Sequence, residues 1–174
     1  MCKFKSGIVL RDEWEKGGFK LLMSPFTESH SELIDLFNLK DGARLNFARI
    51  EFSPDDLSDA HLVEKYKLTI DEERTPDWFD VEMKEKVSEK MSFYIKSIIL
   101  KKDCTVLFGQ QVIIPKDIKV KELNFCSVIL LDGTITNMRG GTITYMRGGT
   151  ITYMWGGTIT DMQGGTIIKD NRNK

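Results

Sequence analysis

Residues 133–167 read GTITNMRG, GTITYMRG, GTITYMWG, GTITDMQG and GTI, four copies of an eight-residue unit followed by the first three letters of a fifth. A unit this short cannot bury its own apolar side chains and must stack on its copies. Ile135, Ile143, Ile151 and Ile159 are each followed three positions later by Met138, Met146, Met154 and Met162. Side chains alternate along a straight strand, so residues three apart fall on opposite faces. Either the chain bends between Ile and Met, or the octads fold as an antiparallel β-meander. Gly-Gly suits a meander turn, because both glycines tolerate positive φ. The meander nevertheless sets Ile143 opposite Met138 and leaves neither face continuously apolar. In a parallel β-solenoid, equivalent letters stack into an Ile ladder and a Met ladder, with Gly-Gly at corners where backbone crowding excludes a Cβ. Eight residues are too few to enclose a layer of side chains, which predicts two octads per coil and stacking partners sixteen apart. The short β-solenoid is the preferred reading and the meander the alternative.

Upstream, CTVLF, QVIIP, IKVKELNF and SVILL between 104 and 131 are β-rich and punctuated by Gly109, Pro115-Lys116-Asp117 and Asp132-Gly133. They read as irregular early rungs. The expected organisation is α+β: a small mixed sheet-and-helix domain at 1–100, a β-rich repeat module at 101–168 with regular octads at 133–167, and a polar tail at 169–174 that blunts the last edge.

In the front domain, 3–12 and 19–23 are apolar segments separated by charges and Gly17-Gly18, the pattern of a hairpin. Ser29-His30-Ser31-Glu32 is a capping sequence for a short helix reaching about Asn38. Strands are predicted at 45–54 and at 66–70. Thr75-Pro76-Asp77 marks the start of a helix of about 20 residues. Its apolar stripe includes Trp78, Phe79, Met83, Val87, Met91, Tyr94, Ile95 and Ile98. Trp78 and Phe79 lie on that stripe and read as core anchors rather than a ligand box.

The chain is 41% hydrophobic and 29% charged, which fits a globular protein. No apolar run approaches the roughly 20 residues of a membrane span, and acidic residues follow the first strand too soon for a signal peptide. Three cysteines, Cys2, Cys104 and Cys126, form no metal-ligand spacing with His30 or His61 and fit a reducing compartment. The expectations are a cytoplasmic chain without cofactor, metal site or membrane contact. Net charge is −1, but residues 1–100 carry about −5 and 101–174 about +4.

The opening MCKFKSGIVL, the segment HSELIDLFNLKD, the PDWF helix start and the GGTIT octads together resemble a family of uncharacterised proteins of bacteriophages, prophages and gut bacteria that carry octad tails of variable number. The resemblance implies a phage or mobile-element origin and supplies no catalytic residue.

No activating partner accompanies either histidine, and no phosphate loop or calcium-repeat aspartate is present. His30 reads as a surface residue at a helix start. Within the octads only the fifth and seventh letters vary, and if Met points inward these flank it outward. Arg139, Tyr145, Arg147, Tyr153 and Trp155 then make a cationic and aromatic cluster of the kind that grips a protein hot spot or stacks bases. The expected function is that of a non-enzymatic accessory protein that binds a host or phage protein, for example to inhibit a CRISPR or other defence effector. Structural homo-oligomerisation is one alternative, and nucleotide or nucleic-acid binding another.

Overall fold

The computed structural model describes residues 4–15, 17–40, 47–72 and 75–172. The chain divides into two units, residues 1–94 and 95–174, and the division falls inside a helix. In the first unit β1 (Lys5–Arg11), β2 (Phe19–Leu22), α1 (His30–Leu36), β3 (Phe47–Pro54) and β4 (Tyr66–Ile70) precede the long helix α2 (Val81–Ile98). The strands form one antiparallel sheet in the order β2-β1-β3-β4, so the unit is mostly sheet. The expected hairpin is β1–β2, with Ile8 opposite Leu22 and Arg11 opposite Phe19. Lys3 and Leu45, at the starts of two predicted strands, lie outside the described residues.

Alternation along the strands gives the sheet two distinct faces. Ile8, Leu22 and Phe47 pack with Leu33 of α1 on one face. On the other, Lys5 reaches the Tyr94 ring of α2, and Lys90 of α2 lies over Phe19. Lys5 is fully buried; its Nζ donates to the Ser24 carbonyl (2.5 Å) and pairs with Glu28 (3.1 Å). Burial pushes its amine below the usual lysine range, against the opposing pull of Glu28.

The Ser29 hydroxyl accepts the Glu32 amide and caps α1. The start of α2 is later than the Thr75-Pro76-Asp77 signal implies. Phe79 N–H closes a turn onto the Pro76 carbonyl (2.9 Å), and Asp80 accepts the Met83 amide (2.9 Å) in the capping position. Trp78 and Phe79 therefore precede the helix instead of lying on its stripe; Phe79 is buried and meets the half-buried Trp78 edge-on.

In the second unit, β5 (Cys104–Phe108), β6 (Gln111–Ile114), β7 (Lys119–Asn124), β8 (Cys126–Leu130), β9 (Thr134–Met138), β10 (Gly141–Met146), β11 (Thr150–Met154), β12 (Thr158–Ile159) and β13 (Thr166–Asp170) wind into a β-solenoid of about 4 turns. The odd strands form one sheet, β13-β11-β9-β7-β5, and the even strands another, β12-β10-β8-β6. All pairings in both sheets are parallel. Ile135 pairs with Ile151 and Ile151 with Ile167, while Ile143 pairs with Ile159, each sixteen residues on. A meander, which pairs successive octads antiparallel, has no place in this register.

The Ile–Met spacing is reconciled by a local break in the ladder. Ile151 pairs with Ile135 and Tyr153 with Asn137, but the register skips Thr152 and Thr136 between them. In the other sheet Thr144 is the extra residue between pairs, and its hydroxyl donates to the Val128 carbonyl (3.1 Å). The skipped threonine resets the phase of the strand, so Ile and Met both turn inward. Ile135, Met138, Ile143, Met146, Ile151 and Met154 are all 0% exposed and share one core with Val120, Leu123, Val128 and Leu130. Burying each such side chain contributes roughly 1.5–3 kcal/mol.

At the corners, the second glycine of each pair is left-handed; Gly149 has φ 82°. A Cβ there would stand 2.2 Å from the carbonyl oxygen of Gly133 in the coil beneath. Conformation and space both exclude a side chain.

The last strand runs further than the octad lettering. Lys169 pairs with Tyr153 and Asp170 with Met154, so two residues of the expected polar tail belong to β13. Asn171 N–H then bonds the Met154 carbonyl (2.8 Å), and Arg172 reaches the Gly157 carbonyl (3.3 Å). Asp170 ends the Met ladder with a carboxylate, which disfavours another apolar layer. Hydrogen bonds from Arg172 hold its pKa down to about 2.

Gly149→Ala is expected to lower stability by more than the roughly 1–2 kcal/mol of a left-handed backbone alone. Gly109→Ala, at φ 64° but with nothing within 4 Å of the added Cβ, should show only the backbone term. Urea denaturation of both variants checks this; equal losses would contradict it. Because the Asp170 pKa is depressed on folding, its contribution is present above the ordinary 3.8 and is lost as pH falls through that value towards about 2. The Arg172 side-chain resonances should therefore report loss of the contact with Asp170 across that window, and Asp170→Asn should abolish that titration.

Candidate functional site

The two-sheet coil decides which variable side chains share a surface. Asn137, Tyr153 and Lys169 form one column across β9, β11 and β13, continued by Glu122 in β7 and Val106 in β5. A second column runs beside it from Phe108 through Asn124 to Arg139 and Trp155, whose amides bond to the coil beneath at the Leu123 and Met138 carbonyls. Strand spacing of about 4.8 Å puts Phe108 and Trp155 roughly 14 Å apart along the solenoid.

Side-chain contacts knit the columns together. Tyr153 and Trp155 stack with ring centroids 6.2 Å apart and planes 21° from parallel. Lys169 Nζ lies over the outer end of that stack, 6.0 Å from the Tyr153 centroid. Glu122 accepts from Asn124 (2.9 Å) and pairs with Arg139 (3.2 Å) in the middle of the face. At the other end Phe108 and Phe125 meet edge to face at 5.8 Å. Phe108, Phe125 and Trp155 are 66%, 65% and 52% exposed, unusually open for such rings.

Arg139, Tyr153 and Trp155 are thus brought together, whereas Tyr145 and Arg147 belong to the even-stranded sheet. There Tyr145 pairs with Ile129, and the Arg147 amide bonds the Leu130 carbonyl. Ile129 and Leu131 are buried, so the exposed part of that sheet is confined to its later coils. The anticipated cluster of five is two groups.

Val106, Phe108, Glu122, Phe125 and Lys169 were not legible as members of the face. They fall outside the regular octads; pairing aligns Val106, Glu122 and Lys169 with the fifth letter and Phe108 with the seventh, and Phe125 joins from the neighbouring corner. Phe125 carries φ 50° at a corner and covers Gly140, at 3.9 Å from where its Cβ would be.

Three carboxylates of the first unit hold structure together: Asp55 pairs with Lys67, Asp56 accepts the Ser58 amide and Glu72 accepts the Arg49 amide. Desolvation raises the Glu72 pKa despite that amide. His61 is exposed. His30, expected at the surface, is instead 7% exposed, because its ring turns inward to the Ile50 carbonyl and Asp71. Among the described residues no helix is long and apolar enough to cross a membrane.

Compared with protein-family models, curated proteins and solved structures, the chain gives no significant match.

Proposed function

We propose that this protein is a non-enzymatic binding protein that engages a partner protein through the outer face of its five-stranded solenoid sheet. The observation that carries this reading is the pair of exposed aromatic contacts, Phe108–Phe125 and Tyr153–Trp155, flanking the Glu122–Arg139 ion pair on one ladder. Trp, Tyr and Arg are the residues in which interface energy concentrates. A β-ladder also fixes them before binding, so little ordering entropy opposes association.

A nucleic-acid partner is less well supported. Arg139 is engaged by Glu122 and Lys169 by Tyr153, while Arg147 lies on the other sheet. Phosphate binding draws on cations that release counterions, and both cations named on this face already have partners within it. Homo-oligomerisation keeps a specific observation in its favour, since Met162 and Ile168 at the last coil are 47% and 65% exposed. The resemblance to phage and prophage proteins extends the leading reading to a host factor as partner, a CRISPR or other defence effector included.

Affinity purification from the host, followed by mass spectrometry, should recover one dominant protein partner. Trp155→Ala and Phe108→Ala should each weaken that complex by about 2 kcal/mol or more. Tyr145→Ala and Arg147→Ala, on the other sheet, should change it by less than about 0.5 kcal/mol. Recovery of nothing above background, or equal sensitivity of both sheets, would overturn the proposal. A concentration-dependent oligomer in light scattering that is lost with residues 133–168 would favour the structural alternative.

A further inference from the structure

Outside the solenoid, three ligand-type side chains converge from separate parts of the first unit. His30 opens α1, Glu51 lies in β3 and Asp71 follows β4, and their ligand atoms all lie within 4.8 Å of one another. His30 Nε2 is 3.0 Å from the Ile50 carbonyl, which can only accept, so this nitrogen carries a hydrogen. Its Nδ1 stands 2.9 Å from Asp71 Oδ2, and a Glu51 carboxylate oxygen lies within 4.8 Å of the other two ligand atoms. A neutral imidazole in this tautomer directs its Nδ1 lone pair at a carboxylate. That arrangement is repulsive unless a positive charge lies between them.

A proton or a metal ion meets that need, and three features favour the metal. A second carboxylate, that of Glu51, lies within ion-binding reach of the pair where a proton bridge requires only one. The outward Nε2–H bond to a backbone carbonyl is the arrangement that orients ligating histidines. Lastly, Ser6 lies directly opposite Glu51 in the β1–β3 register, and cross-strand partners share a face. The Ser6 side chain is fully buried, and its hydroxyl has no hydrogen-bond partner among the described residues. It is suited to hold a water bound to the ion.

We propose that His30 Nδ1, Glu51 and Asp71 form a binding site for a divalent transition metal, with water completing the coordination beside Ser6. One imidazole and two carboxylates match zinc or manganese better than magnesium or calcium, which prefer all-oxygen sets. The site opens towards solvent at Asp71, whose side chain is 58% exposed. A bound ion would tie the start of α1 to β3 and to the segment after β4. The order of His, Glu and Asp along the chain carries no ligand spacing; pairing of β3 with β4 and packing of α1 on the sheet bring them together.

Metal-stripped full-length protein titrated calorimetrically with zinc chloride should bind one ion per chain and melt at a higher temperature, while magnesium chloride has no effect. Asp71→Asn and Glu51→Gln should each weaken zinc binding at least about tenfold, the least that loss of even an outer-shell partner costs. Zinc should shift the ring resonances of His30 and leave those of His61 in place. Asp71 is exposed, so its variant keeps the test valid even where Glu51→Gln folds poorly. Absence of zinc binding, or binding indifferent to both variants with no His30 shift, would overturn the site and leave a proton as the bridge between His30 and Asp71.

Discussion

The parallel backbone ladder, repeating every sixteen residues through the octads and every fifteen where β7 meets β9, is the constraint on which the second unit depends. It fixes which side chains stack: hydrogen bonds hold each strand to the next coil, while the buried apolar pattern and the corner geometry set the register. From it follow the Ile and Met ladders, and from those the exclusion of the fifth and seventh letters to the surface. The Gly-Gly corners serve the same end. Each second glycine lets a backbone carbonyl of the coil beneath come closer than any Cβ permits.

The break at the second threonine of the first three T-I-T units brings Ile and Met of each octad into one core, whereas in the fourth Met162 is 47% exposed. Without it, two large apolar residues three apart would stand on opposite faces. With it, the coil closes on two short sheets, and both residues enter one core. The threonine is therefore a geometric element, chosen as a β-former whose hydroxyl can satisfy a carbonyl at the irregular step, as Thr144 does.

The solenoid and its sixteen-residue spacing were legible because they follow from a local rule applied to identical letters. The division of the five candidate residues was implicit in the same rule, since alternate octads must lie on alternate sheets. Tyr145 and Tyr153 look adjacent only along the chain. Phe108, Phe125 and Glu122 stayed hidden because the early rungs share the hydrogen-bonding pattern of the octads without their letters. The late start of α2 reflects competition between two capping residues, which Asp80 wins by reaching the Met83 amide. His30 was read as solvent-facing because its partners, Ile50 and Asp71, come from segments 20 and 41 residues away.

The most direct test of this architecture is disulfide cross-linking in a background with the three native cysteines replaced by serine. Asn137 and Tyr153 are in-register neighbours on β9 and β11, about 4.8 Å apart by strand spacing, within the 4.4–6.8 Å span a disulfide bridges. Asn137→Cys combined with Tyr153→Cys should cross-link readily under mild oxidation, whereas Tyr145→Cys combined with Tyr153→Cys should not. The opposite pattern, with neighbouring octads linked and those sixteen residues apart unlinked, would contradict the solenoid and every surface assignment built on it.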